Sequence, residues 1–234
     1  MRIRTGVTAA LILLIVLPAA AAPRAKVLAP RFNVLGTTVE IVFTNVSDEP
    51  VLMAGTWRIG RARTDQTMAT YRWAEGERMV APGASRRWAW DQREGCTGEC
   101  SKTSVGEQVE PGPYVVAIGG RRRAFQVGQF FQIGFDHLPE DETLTVFVNR
   151  SDDIAEMTSE ADAQDKTLIV SGIVRKGRDY NRPWTITMGP GSIVLGEVFV
   201  EVCDADPYQV QDYRRSWLGE RWCPWSSYVA AVGR

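Results

Sequence analysis

Short runs of alternating apolar and polar residues fill the first half of the chain. Val39-Glu40-Ile41-Val42-Phe43 alternates loosely and ends in Thr44-Asn45-Val46-Ser47-Asp48-Glu49-Pro50, a turn cluster whose side chains cap their own backbone. A second strand is expected at Val51 to Met53. Arg87-Trp88-Ala89-Trp90 follows the breaker Ala81-Pro82-Gly83, and Pro111-Gly112-Pro113 precedes Tyr114-Val115-Val116-Ala117-Ile118. Gly119-Gly120 then leads into Ala124-Phe125-Gln126-Val127, with glycines where a tight hairpin demands positive φ. Short strands between Gly/Pro turns, without helical periodicity, predict a β-sandwich.

The pattern changes after a boundary at 128–142, which ends in Leu138-Pro139-Glu140-Asp141-Glu142. Leu144, Val146 and Val148 predict a half-buried strand. Ser151-Asp152-Asp153 reads as a helix start, a capping hydroxyl followed by acids that suit the helix dipole, and Ile154, Met157 and Ala161 share one face. Strands are expected at Thr167 to Val174, Trp184 to Met188 and Ile193 to Cys203. In the last, Val194, Val198, Val200 and Val202 fall on one face and Glu197, Phe199 and Glu201 on the other. Asp206-Pro207 opens a helix striped by Val210, Tyr213 and Trp217. This half therefore predicts a smaller α+β domain over 142–234, behind a sandwich domain over 30–130.

The first residues change the setting. Arg2 and Arg4, the apolar run Val7 to Leu17 and the small residues Ala19 to Ala22 predict an export signal over 1–21, cleaved after Ala21. That run is shorter than the roughly 20 residues a membrane span requires, and no later segment is long enough, so the mature chain is expected without a span, secreted or periplasmic. In an oxidising compartment four cysteines favour disulfides. Cys96 and Cys100 sit in a short glycine turn that could close a tiny ring. Cys203 and Cys223 lie twenty positions apart, and a bridge there would contribute about 3 kcal/mol. A four-cysteine zinc site is the rival, against which neither pair has CxxC spacing. The formal net charge of -1 argues against nucleic acid as a partner. The second half carries the excess of acids.

Several stretches resemble the intracellular proteinase inhibitor (BsuPI) family of immunoglobulin-like sandwiches. They are Val42 to Val51, Tyr71-Arg72-Trp73, Val80-Ala81-Pro82-Gly83, Trp88-Ala89-Trp90-Asp91-Gln92 and Val109 to Val116, together spanning about 33–128. Trp-Asp-Gln followed by Pro-Gly-x-Tyr is the specific part. Two departures stand out: Trp57-Arg58-Ile59-Gly60-Arg61 replaces the usual strand after Met53, and the gap from Gln92 to Pro111 is lengthened by the Cys96–Cys100 turn. The resemblance implies an all-β immunoglobulin-like sandwich and inhibition of subtilisin-like serine proteases. Thr97, Gly98 and Glu99, inside that turn, are the candidate inhibitory loop. The second half resembles a domain of small secreted proteins, through Val174 to Gly177, Tyr180 to Trp184, Gly189 to Ile193, Glu201-Val202-Cys203-Asp204-Ala205 and Trp222-Cys223-Pro224-Trp225-Ser226-Ser227. That resemblance implies no particular activity.

The remaining chemistry is thin. His137, the lone histidine, would have to serve any Ser/His/Asp or Cys/His centre, yet it lies in an acidic connector beside Pro139. No P-loop or dinucleotide fingerprint is present. Glu197, Glu201 and Asp204 are weak candidates for calcium, with Asp206 expected as a helix cap. Arg121-Arg122-Arg123 at a hairpin could meet an acidic partner or simply be solvated. Trp222, Trp225 and Tyr228 could stack on a ligand or cover a disulfide. The reading is a non-enzymatic, cofactor-free protein-binding module, a proteinase inhibitor. The alternative is an envelope or extracellular adhesion or assembly module without inhibitory activity, with calcium as an option.

Overall fold

The computed structural model describes residues 24–53, 56–62, 67–72, 77–95, 106–177 and 179–233. The expected leader at 1–21 lies outside them. The described chain is predominantly β, and among the described residues no helix is long and apolar enough to cross a membrane.

Ten strands come first: β1 (Ala25–Leu28), β2 (Phe32–Val34), β3 (Val39–Asn45), β4 (Val51–Met53), β5 (Thr56–Arg61), β6 (Thr67–Arg72), β7 (Arg78–Val80), β8 (Ser85–Trp90), β9 (Gly112–Ile118) and β10 (Arg121–Phe135). Strands β1-β3-β8 form one sheet, and β10-β9-β5-β6 another, with β2 parallel beside β10. β3 alternates as its sequence predicts: Val39, Ile41 and Phe43 are buried. From the other sheet Trp57, Ile59, Tyr114, Val116, Ile118 and Phe125 join them in one apolar cluster. Asn45, buried at the end of β3, folds the following turn around itself. Its amide donates to the carbonyls of Glu49 and Val80, and its Oδ1 accepts from the Ser47 N–H and hydroxyl. The hairpin at Gly119 and Gly120 has φ of 53° and 74°, which only glycine adopts without strain.

The chain continues with β11 (Leu144–Val148), α1 (Ser151–Asp162), β12 (Ile169–Lys176), β13 (Ile186–Met188), β14 (Val194–Gly196), α2 (Pro207–Asp212), α3 (Arg214–Trp217), β15 (Arg221–Trp222) and β16 (Ser227–Val232). β12 pairs with β13, β14 and β15, while the far end of β10 pairs with β11 and β16. Phe131, Ile133, Phe135, Val146, Met157, Val170, Val210 and Trp222 belong to a second apolar cluster.

β10 therefore serves both clusters. It pairs with β9 as far as Val127↔Gly112 and with β2 as far as Gly128↔Val34, then takes up β11 from Gln129↔Val148. Gly128 marks the change of partner, since a Cβ there would lie 2.0 Å from the Val148 carbonyl oxygen. Beside it Phe32, Phe130, Phe147 and Tyr180 pack edge-on or tilted at 4.8–6.4 Å.

Four expectations change. The first part of the 128–142 boundary is strand through Phe135, because Phe131, Ile133 and Phe135 are core residues. Ser151 is the first helical residue rather than the cap; Arg150 stands at the cap and makes no side-chain bond there. The strand expected over Ile193 to Cys203 stops at Gly196 and ends in a 3-10 turn over Glu201–Cys203, so its valines face no second layer. The helix after Pro207 breaks at Tyr213 (φ -97°, ψ 26°). Val210 and Trp217 still pack on the second cluster, whereas Tyr213 is 69% exposed.

Candidate functional site

The residues of the specific Trp-Asp-Gln and Pro-Gly-x-Tyr motifs converge on the base of one long loop. β8 drives Trp90 into the first core, where its ring lies 5.7 Å from Tyr114 and 5.9 Å from Phe125. Its Nε1 donates to the Arg93 carbonyl. Gln92, fully buried, adopts a left-handed φ of 58°. Its Oε1 accepts from the Gly36 N–H and its Nε2 donates to the Val34 carbonyl. Its own carbonyl accepts from the Val109 N–H and from Gln108 Nε2.

Above this anchor the loop's two arms are bonded together. Arg93 and Gln108 form a β-bridge, the Glu94 N–H donates to the Glu107 carbonyl at 2.8 Å, and Arg93 Nη1 donates to the Gly106 carbonyl. On the return, the Tyr114 hydroxyl donates to the Glu110 carbonyl at 2.5 Å. Burial pushes that phenol up to about 12, with Arg61 opposing and Glu110 and Glu94 adding. Cys96, Cys100 and the candidate residues Thr97, Gly98 and Glu99 lie beyond the bonded arms, outside the described residues.

The second surface lies where β14 ends. Phe199 packs over Gly196, whose missing side chain admits the ring. Val198, Val200 and Val202 project outward, 77%, 67% and 89% exposed. One end of the segment is pinned by the Cys203–Cys223 disulfide. Both cysteines are buried, and the Val200 carbonyl accepts from the Cys203 N–H. A shallow groove of about 390 Å³ is lined by Val200, Val202, Cys203, Ser216, Trp217, Glu220 and Arg221. The expected disulfide between Cys203 and Cys223 is thus present. The exposed valines escaped the sequence reading because a Val-x-Val-x-Val run is equally the signature of a covered strand.

The other candidates take structural places. Trp222 is buried, stacked on Phe135, and donates to the Ala205 carbonyl, while Trp225 stays half-exposed. Asp204 accepts from the Trp225 N–H. Glu197 follows β14, and among the described residues no group of three or more His, Cys, Asp or Glu side chains could hold a metal. The strand expected to align Glu197 with Glu201 ends before either residue. His137 Nε2 lies 2.5 Å from Asp206 Oδ2, both partly exposed. Asp206 also caps α2 in a full capping box with Gln209. Nearby, the Tyr208 hydroxyl donates to Glu142, which raises its phenol above the ordinary value; the exposed pair ties the 136–142 segment to α2. The His137–Asp206 contact links the connector to the start of α2.

Residues 129–233 match the family model of the BP-74 N-terminal domain. The match begins at Gln129, where β10 takes up its new partner, and covers under half of the chain. No curated protein matches the chain. Two solved structures of a β-glucosidase from Listeria innocua, one a mutant with laminaribiose and one with isofagomine, are similar over 46% and 44% of this chain. Each comparison has 14% identity and a TM-score of 0.24, and the chain spans 16% of the glucosidase.

Proposed function

We propose that the chain is an exported, non-enzymatic protein-binding protein of two domains, an immunoglobulin-like sandwich followed by an α+β domain, and that the sandwich inhibits a subtilisin-like serine protease through the loop containing Thr97, Gly98 and Glu99. The observation that carries this reading is the bonded base of that loop. An inhibitor must hold a segment extended in the protease cleft with little ordering entropy left to lose. Arms bridged at Arg93 and Gln108, rooted on a buried Gln92, supply such a rigid base. The buried Trp90, Gln92 and Tyr114, among the residues that carry the BsuPI resemblance, root this loop, which supports the reading. The parallel β2–β10 pair, the buried Trp57 on β5 and the Tyr114 hydroxyl bonded four residues back all favour the immunoglobulin-like assignment. A disulfide suits a secreted or periplasmic location.

A second reading, an adhesion or assembly module, is favoured by the exposed valines on a disulfide-pinned segment, since uncovered apolar surface of this kind marks interaction sites. Pull-down from the envelope fraction separates the two. With wild-type bait the inhibitor reading expects a serine protease, retained by Val198→Ser/Val202→Ser and lost when 97–99 are replaced by Gly-Ser-Gly. Recovery of a non-protease partner that depends on the valines instead would support the assembly reading and overturn the first.

A further inference from the structure

Two exposed faces of this chain complement each other. The first is the outer face of the β10-β9-β5-β6 sheet. The register sets Arg122 opposite Ala117 and Ala117 opposite Arg58, so the two arginines stand on one face, on either side of a methyl group. The next row is Ala124, Val115 and Gly60. Strands about 4.8 Å apart put the two Cα atoms roughly 10 Å from each other. The result is a low strip of Gly60, Val115, Ala117 and Ala124 with the two arginines standing at its sides. Both arginines are exposed, and neither makes an ion pair with a described residue.

The second face is the solvent side of α1. Met157, Asp153 and Glu160 turn inward, leaving Asp152, Ala155, Glu156, Ser159 and Asp162 exposed. Ala155 and Ser159 make the centre of that stripe small, and the three acids border it. No basic residue lies in the helix's last turn. Asp152 and Glu156 are like charges four apart, a spacing that destabilises a helix unless something answers it. A sheet face low in side-chain height lets a helix with a small-residue centre approach closely. Here arginines edge the sheet and carboxylates edge the helix.

We propose that these faces bind each other between copies: the α1 face of one molecule docks on the β10-β9-β5-β6 face of a second, head to tail. The contact is heterologous, so association continues beyond dimers unless the rotation closes a ring. It is governed by exposed charges and weakens as salt shortens the screening length. This inference is independent of which protein the loop recognises.

Sedimentation of the purified protein tests it. At low ionic strength the mass should rise with concentration, and it should return to that of the monomer in roughly 1 M salt, where the Debye length falls to about 3 Å. Arg58→Glu/Arg122→Glu and Asp152→Lys/Glu156→Lys should each stay monomeric at concentrations where wild type associates, an affinity loss of at least roughly tenfold. An equimolar mixture of the two variants should associate again, because each then offers the other's complement. Arg58→Lys/Arg122→Lys should associate like wild type, which separates loss of charge from loss of fold. A wild type that remains monomeric at low salt, single variants that associate normally, or a mixture that fails to recover would each overturn the proposal.

Discussion

Asp153 shows how one side chain can carry a measurable pH dependence. It is buried in the first turn of α1, its Oδ2 lacks a hydrogen-bond partner, and Arg150 Nε lies 3.5 Å away. Desolvation raises its carboxyl above the ordinary 3.8, against Arg150 and with help from Asp152. Because the folded value exceeds the unfolded one, the fold is favoured while the group is protonated. That advantage is lost as pH rises from 3.8 through the folded value. Asp153→Asn should therefore raise the urea midpoint at pH 7 and change it little near pH 3; an unchanged midpoint at pH 7 would remove the argument. Tyr114 behaves alike in the alkaline range. Its contribution is intact below pH 10 and lost as pH climbs toward about 12, so Tyr114→Phe should flatten the stability loss above pH 10. Gln92→Ala strands the Gly36 N–H, while the Val34 carbonyl keeps its bonds from the Thr37 N–H and hydroxyl, and should cost about 1–2 kcal/mol by denaturant titration while loosening the loop base.

Among the elements, the change of partner along β10 depends on the absent side chain of Gly128. Gly128→Ala must push β11 away from β10 and should destabilise by about 1–3 kcal/mol. An alanine variant as stable as wild type would contradict the close approach. Strands β3, β4, β8, β9 and the start of β10 were legible because Gly, Pro or an Asn-x-Ser turn stands beside each and because alternation in β3 and β9 maps directly onto burial, whereas β1, β2, β6 and β7 are too short or too polar to announce themselves. Asp206-Pro207 likewise announced α2. Legibility failed where tertiary context decides. Phe131, Ile133 and Phe135 are interspersed with Gln and Gly and looked like a connector, while β10 needed neighbours distant in sequence to be seen as one strand. Val198, Val200 and Val202 had the right period and lacked only a covering layer. Removing them should separate binding from folding: Val198→Ser/Val202→Ser should leave the melting temperature within a degree or two, since surface changes stay within about 0.5 kcal/mol. Cys203→Ala/Cys223→Ala should lower stability by roughly 3 kcal/mol on the chain-entropy model.

At the scale of the whole molecule, two apolar clusters share one long strand, and Phe32, Phe130, Phe147 and Tyr180 pack on one another near its Gly128. The specific sequence motifs lie in the foundations. Trp90, Gln92 and Tyr114 root a loop, and Cys203, Trp222 and Cys223 brace the end of an exposed segment. Residues that would touch a partner are harder to read from sequence than this frame, since those at a loop tip obey no periodicity and those on the open segment share the period of a covered strand. The account rests on recognition by the bonded loop. Its most direct measurement is a titration of a purified subtilisin-like protease with the mature protein, following residual activity. The account predicts loss of activity at micromolar concentrations or below, abolished when 97–99 are replaced by Gly-Ser-Gly. Full protease activity throughout that range, or equal inhibition by the loop-replaced protein, would contradict it.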